Sequence, residues 1–260
     1  MIFTKQEFLL KIDFDYLLRF ASETKLYRNY RSYFTKKDFV NALLRNLTQE
    51  QCEDLYNAFI NNIPPEEMAR FFLFKNPTYE IIRDKLIKYI SINKEEDTVI
   101  FSEFPVLNSR TDVTMINHKS YNYEIKTDRD KLERLKFQLP IFITVFERNF
   151  VVCSINSYPQ VLEYVPHAVG IIVYEIQDDK IYFREEVPSR RSNDLKSENQ
   201  LAIITLKSLR SIYEKRIGKA STLTKQQLIE KIRSHMSDSE INKEFKDYLK
   251  SKYLNFKVER

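Results

Sequence analysis

An α/β (α+β) chain with a mixed-sheet core between two helical regions is what the sequence predicts, and three observations predict it. Apolar residues recur at three- and four-residue steps up to about Ile92. Short β-prone runs then occupy Thr98 to Glu185, and helical spacing returns from Leu201. The expected division is 1–77, a helical N-terminal region; 78–187, the core; and 188–260, a basic helical C-terminal region. A length of 260 residues is enough for a sizeable buried core.

In the first region Phe8, Leu9, Ile12, Tyr16, Leu17 and Phe20 trace a helical stripe. Thr35 with Asp38 and Thr48 with Gln51 have the spacing of N-cap pairs, in which a hydroxyl satisfies an orphan amide. Pro64-Pro65-Glu66-Glu67 suits a first turn. The rings of Phe71, Phe72, Phe74 and Tyr79 are expected in the core. Thr78 to Ile92 forms a helix apolar enough to lie on a sheet, with Glu80 at its start as dipole compensation or as an acid facing a site.

Thr98–Phe104, Asp112–Asn117 and Ser120–Thr127 read as strands, the last two joined by a hairpin turn at 117–119. Alternation in the third puts Tyr121, Tyr123 and Ile125 on one face and Asn122, Glu124 and Lys126 on the other. A helix from Asp130 to about Phe146 follows, with a break expected at Pro140. Phe150–Ile155, Val169–Ile176 and Ile181–Glu185 are further strands, with a turn at 177–180. The polar stretch after Pro188 is expected to be mobile. Helices follow at Leu201–Ile217, Lys225–Met236 and Glu240–Tyr253, the last two opened by Thr224/Gln227 and Ser237/Glu240.

Composition narrows the function. Two glycines and no P-loop or dinucleotide fingerprint argue against a nucleotide cradle. Cys52 and Cys153 stand far apart without a CxxC pair, so neither disulfides nor a zinc ribbon is expected, and a reduced cytoplasmic setting fits. No apolar run approaches the roughly 20 residues of a membrane span, and the first residues lack the order of a signal peptide, so no membrane partner is expected. Three histidines without metal spacing and serines without a nucleophile elbow leave little for zinc or acyl-transfer chemistry. The net charge of +5 is uneven: 17 Lys and Arg face 9 Asp and Glu from Pro188 onward. A basic tail beside an acidic centre suits a polyanionic partner, although solvated helices are also lysine-rich.

The chemistry concentrates between Glu103 and Gln138. Two apart on one strand, Glu124 and Lys126 project into one volume, where a carboxylate can bind a divalent cation and an ammonium can touch water or phosphate. A 112–117/120–127 hairpin brings Asp112 beside Glu124. Mg²⁺ needs only one or two carboxylates, so the set is sufficient for a metal that activates water. Plainer readings compete: Asp112 paired with Arg110, Glu124 with Lys126 as a solvated ion pair, Glu103 balancing either cation, and Gln138 on a helix surface.

The wording EFPVLNSRTDVTMI…YEIKTDRDKLERLKFQLP resembles the PD-(D/E)XK nuclease superfamily, and within it the sce7726 family, from about Glu103 to Gly170. The resemblance implies a restriction-endonuclease-like mixed sheet and a Mg²⁺-dependent deoxyribonuclease, with Mn²⁺ able to substitute. It makes Asp112 the first metal-binding acid, Glu124 the second and Lys126 the catalytic lysine. Glu103 becomes an additional acid, and the Ile125 carbonyl a further ligand. Gln138 with Phe142 is similar to a glutamine–x–x–x–tyrosine pattern, with phenylalanine in place of the tyrosine. Thr111 stands where the superfamily's name has proline. The implied partners are DNA and a divalent metal, with a homodimer or a larger defence complex compatible. The rival from another class is a non-catalytic nucleic-acid-binding or regulatory module of a defence or mobile-element system; a third is a protein–protein adaptor using the helical arms.

Overall fold

The computed structural model describes residues 3–24, 36–45, 47–75, 79–92, 94–128, 130–177, 180–220 and 222–254, with the main chain alone at 38 and 73–75. The chain divides into two units: Met1–Thr78 with Ile176–Lys180, and Tyr79–Glu175 with Ile181–Arg260.

In the first unit, helices α1 (Lys5–Lys11), α2 (Phe14–Thr24), α3 (Lys36–Leu43), α4 (Gln49–Ile60) and α5 (Pro65–Lys75) enclose a core of Leu9, Ile12, Leu17, Phe20, Phe39 and Leu55. Side chains set their ends. Thr48 and Gln51 form the expected capping box, and Thr4 with Glu7 forms another at α1. Asn62, at φ 55°, closes α4 through its own amide to Phe59 O and the Ile63 amide to Ala58 O, a Schellman pattern with asparagine where glycine is usual. The Thr35/Asp38 pair, the Phe74 side chain and residues 178–179 of the expected turn lie outside the described residues. Phe72 joins the core as expected, whereas Phe71 is exposed.

The second unit begins with α6 (Tyr79–Ile90) and holds a six-stranded sheet of β1 (Val99–Val106), β2 (Ser109–Ile116), β3 (Ser120–Lys126), β4 (Arg148–Ser154), β5 (Gly170–Gln177) and β6 (Lys180–Val187). The strands lie in sequence order. β1–β2 and β2–β3 are antiparallel, while β3–β4 and β4–β5 are parallel, so the sheet is mixed. A 3₁₀ turn (Leu132–Arg134) and α7 (Leu135–Phe142) connect β3 to β4, and α8 (Tyr158–Leu162) lies between β4 and β5. Right-handed packing of such crossovers covers a parallel sheet.

Alternation along β3 falls as the sequence predicts. Tyr123 and Ile125 pack with Ile82 and Leu86 of α6. On the opposite face Leu135 and Leu139 of α7 cover Val151, Cys153 and Val173. Helix α7 runs on through the exposed Pro140 to Phe142, so the expected break does not occur, although proline removes the amide that would donate to the Lys136 carbonyl. Cys153 and Cys52 are buried free thiols, pushed by that burial up to about 12 and about 11.

Helices α9 (Ser197–Ile203), α10 (Leu206–Arg216), α11 (Lys225–His235) and α12 (Asp238–Tyr253) extend the core rather than hang from it. Leu209, Ile232 and Phe245 pack with Phe101, Phe104, Phe142 and Phe146. The sequence suggests one helix over Leu201–Ile217; the structure has two, because Thr205 turns the chain and its hydroxyl caps α10 through the Ser208 amide. The stretch expected to be mobile is fastened instead. Arg190 N, Ser192 N and Lys196 N bond to Ala168 O, Glu147 O and Thr144 O, and the buried Ser192 hydroxyl donates to Ile143 O.

Gly170 faces Phe150 across the β4–β5 ladder, and a Cβ there would lie 2.5 Å from that ring and 2.7 Å from Ser189 N. The ring cannot retreat, since it stacks on Tyr123 at 5.3 Å. Gly170→Ala should therefore lower unfolding free energy by roughly 1–3 kcal/mol, read as a reduced urea midpoint at unchanged slope.

Candidate functional site

Strand register builds the site. Continued by one residue, the β2–β3 pairing sets Asp112 opposite Glu124, and the β1–β2 pairing sets Glu103 opposite Asp112. Three acids thus form a row across three strands. They open into a cleft of about 280 Å³ that Lys126, Gln138, Tyr79, Arg110 and Arg134 also line.

Each acid is held differently. The β2–β3 ladder stops at Val113–Tyr123, and beyond it Asp112 Oδ2 accepts the Ile125 amide at 2.6 Å. Glu124 is buried with 2 % of its side chain exposed, and its Oε1 accepts from Lys126 Nζ at 2.6 Å. The same ammonium donates to Gln138 Oε1 at 3.0 Å. Glu124 Oε2 has no hydrogen-bond partner among the described residues. Glu103 lies exposed at the rim, taking the Tyr79 hydroxyl at 2.6 Å and Arg110 Nη1 at 3.5 Å.

Burial raises the pKa of Glu124, and the nearby Asp112 charge raises it further, with Lys126 opposing. Asp112 is raised as well, by burial first, against the Ile125 hydrogen bond and the Lys126 charge. Both shifts mark a site short of positive charge. Tyr79 is raised by burial and then by Asp112 and Glu103, so it stays a hydrogen-bond donor.

Glu103 carries φ 56° within β1. A left-handed glutamate costs about 1–3 kcal/mol, and such strain gathers at functional sites. Here it reverses the strand's alternation, so that Phe101 and Phe104, three apart, meet edge to face in one core at 5.3 Å. Behind the acids a second row, Thr114, Asn122 and Asn149, is also buried, and the Asn122 amide lacks partners among the described residues. Buried polar groups left in this way are costly and need a reason.

All five sequence-predicted side chains, Glu103, Asp112, Glu124, Lys126 and Gln138, meet in this cleft, together with Ile125. The Glu124–Lys126 pair is buried, not solvated. Arg110 joins through Glu103. Glu80 does not line the cleft and is exposed. Its place is taken by Tyr79, one residue earlier and about 100° around the helix. Phe142 is fully buried in the core, so only Gln138 of the glutamine–phenylalanine pair reaches the site. His118 pairs with Glu95, and His235 with its own helix. Among the described residues no three His, Cys, Asp or Glu gather as a metal-holding set. The candidate ligands are therefore two carboxylates and a main-chain carbonyl, with Glu103 tied at the rim.

Fold and cleft define a mixed α+β protein with an acid–lysine cleft across the first three strands of its sheet. The chain belongs to the bacteriophage P4 protein cII family, whose pattern matches residues 75–258. It is similar to Protein cII of Enterobacteria phage P4, 29 % identical over 113 residues, which is 40 % of this chain and 43 % of that protein. The match thus spans less than half of that relative's length. Among solved structures, a protein of unknown function from Silicibacter pomeroyi, SPO1766, is similar with a TM-score of 0.32 and 17 % identity, covering 49 % of this chain and 86 % of that one. SfsA of Pyrococcus furiosus, in complex with Ca²⁺, gives 0.29 and 14 %, covering 42 % and 64 %. No helix among the described residues is long and apolar enough to cross a membrane.

Because the folded-state values of both carboxylates are raised, the protonated cleft favours folding and ionisation opposes it. Without metal, stability should fall as pH rises from the ordinary carboxylate range toward neutrality. Glu124→Gln should flatten that slope, measured by urea unfolding at successive pH values.

Proposed function

We propose that the cleft is a metal-dependent phosphodiesterase site acting on nucleic acid, most simply DNA, within a family named for a phage protein. The observation that carries this reading is the pairing of a partly satisfied buried glutamate with a second raised carboxylate and a buried ammonium in one open cleft. The donor set fits Mg²⁺, which is content with one or two carboxylates, and Mn²⁺ can take its place. Asp112, Glu124 and the Ile125 carbonyl would hold it; when bound, it supplies Lewis acidity and makes water a stronger nucleophile.

Lys126 can orient an attacking water through its hydrogen bonds or offset negative charge developing on a phosphate oxygen, and Gln138 Oε1 holds the ammonium in place. Arg110 and Arg134 line the cleft where phosphate oxygens would lie. Tyr79 and Arg110 fix Glu103, leaving Asp112 and Glu124 as the inner pair. The resemblance to PD-(D/E)XK nucleases supports the same assignment through the same residues.

A second reading, a nucleic-acid-binding or regulatory module that does not cut, is favoured by two observations. The family is named for a phage protein, as a mobile-element module would require. Lys126 also already neutralises one Glu124 oxygen, so the pair could stand as a self-contained structural element.

Two variants separate them. Asp112→Asn and Lys126→Met should each reduce Mg²⁺-dependent cleavage of DNA by about 10²-fold or more while leaving the circular dichroism spectrum unchanged. Calorimetry should show Mn²⁺ binding that Asp112→Asn abolishes. DNA binding with neither cleavage nor carboxylate-dependent metal binding would establish the second reading instead.

A further inference from the structure

Phe137 is 75 % exposed, more than any other large apolar side chain among the described residues. Packing gives it no role. Helix α7 buries Leu135, Leu139 and Phe142, and leaves the ring pointing outward between Lys136 and Gln138. Arg134 stands three residues before Phe137, and Gln138 one after; both line the acid–lysine cleft. Residues three and four apart are neighbours on a helix surface, so Arg134 stands beside both Gln138, which faces the cleft, and Phe137, whose ring lies just outside the lining and flanks the arginine at the cleft's lip.

The ligand that fits this lip must bring a flat apolar surface and an anionic linkage a few ångströms away. An unpaired nucleotide offers both. Bases inside a duplex have their faces covered by neighbours, whereas a single strand exposes them to aromatic side chains. Arg134, whose guanidinium shows no acidic partner among the described residues, supplies the charge for the adjoining phosphate.

We propose that Phe137 and Arg134 form a nucleobase subsite at the lip of the cleft, selecting single-stranded or frayed nucleic acid. The inference rests on the nucleic-acid reading of the cleft and adds its substrate class. Stacking is tolerant of base identity, so the subsite sets strandedness rather than sequence.

The chain has no tryptophan, so Phe137→Trp installs a single tryptophan at the subsite that can be excited apart from the tyrosines. With EDTA present to prevent cleavage, a short oligothymidine should quench its emission, and an abasic strand of equal length should not. In anisotropy titrations Phe137→Ala should weaken oligothymidine binding roughly tenfold, leave the abasic strand unchanged, and narrow the preference for single strand over duplex. Phe137→Trp should keep wild-type affinity. Equal quenching by both strands, or unchanged affinity in Phe137→Ala, overturns the subsite while leaving the cleft's nucleic-acid reading standing. If the wild-type protein binds neither strand nor duplex, that reading fails and the subsite fails with it.

Discussion

The cleft depends on one hydrogen bond, from the Ile125 amide to Asp112 Oδ2. A strand amide left without a ladder partner must find another acceptor or cost the scaffold its desolvation. Where β2 and β3 part, a carboxylate takes the place of a carbonyl, which pins Asp112 beside Glu124 and leaves its second oxygen uncommitted to the ladder. The bond lowers the pKa of Asp112, yet burial outweighs it and the net direction is up. Glu124 is raised by burial and by the charge of Asp112, in spite of Lys126 at 2.6 Å. Two carboxylates that resist ionisation next to a cation are short of positive charge. A proton satisfies that deficit, as would the metal ion proposed for the cleft, and each would exclude the other.

Around this inner pair the outer wall is built from strain and a phenol. Glu103 would be an ordinary strand residue but for its positive φ, which the register on either side tolerates without an inserted residue. Phe101 and Phe104 anchor both flanks of the kink in one core, with Tyr253 stacked on Phe101 at 3.8 Å. The packing of α12 thus helps hold a backbone shape whose local cost is unfavourable. In return Glu103 turns to the rim, where Tyr79 and Arg110 hold it off the inner acids.

Legibility in the sequence follows the range of the forces involved. The period-2 pattern of β3 and the capping boxes at Thr48, Thr224 and Ser237 are local, so spacing alone reveals them. The meeting of Asp112 with Glu124 was readable because a short hairpin fixes register within a few residues. Tyr79 was not: a helix-start tyrosine resembles any core ring until the helix docks on β2 and β3, and rotation by one residue decides whether Tyr79 or Glu80 faces the cleft. The anchoring of 188–196 was equally hidden, because a polar segment gives no sign that distant carbonyls at Thr144, Glu147 and Ala168 await its amides. Nor does spacing distinguish Phe142, sealed in the core, from Phe137, left in solvent on the same helix.

Charge in the tail carries the last step. The surplus of lysine and arginine beyond Pro188 suggests a phosphate-contacting arm, but part of the tail's positive charge is engaged within the fold. Arg216 pairs with Glu240 and Glu244, Arg233 with Glu198, Lys246 with Glu147, and Lys250 with Asp97. A cation already matched by a carboxylate releases little when a phosphate arrives, since one pairing replaces another. Long-range attraction can still come from the unmatched lysines, and it would fade with salt. Short-range placement has to come from groups that line the cleft and have charge to give, which are Arg134 and, through its loose 3.5 Å contact with Glu103, Arg110. The tail's helices contribute to the cleft chiefly by packing behind β1, so their removal would disturb the acids through Glu103 before it altered the field around them.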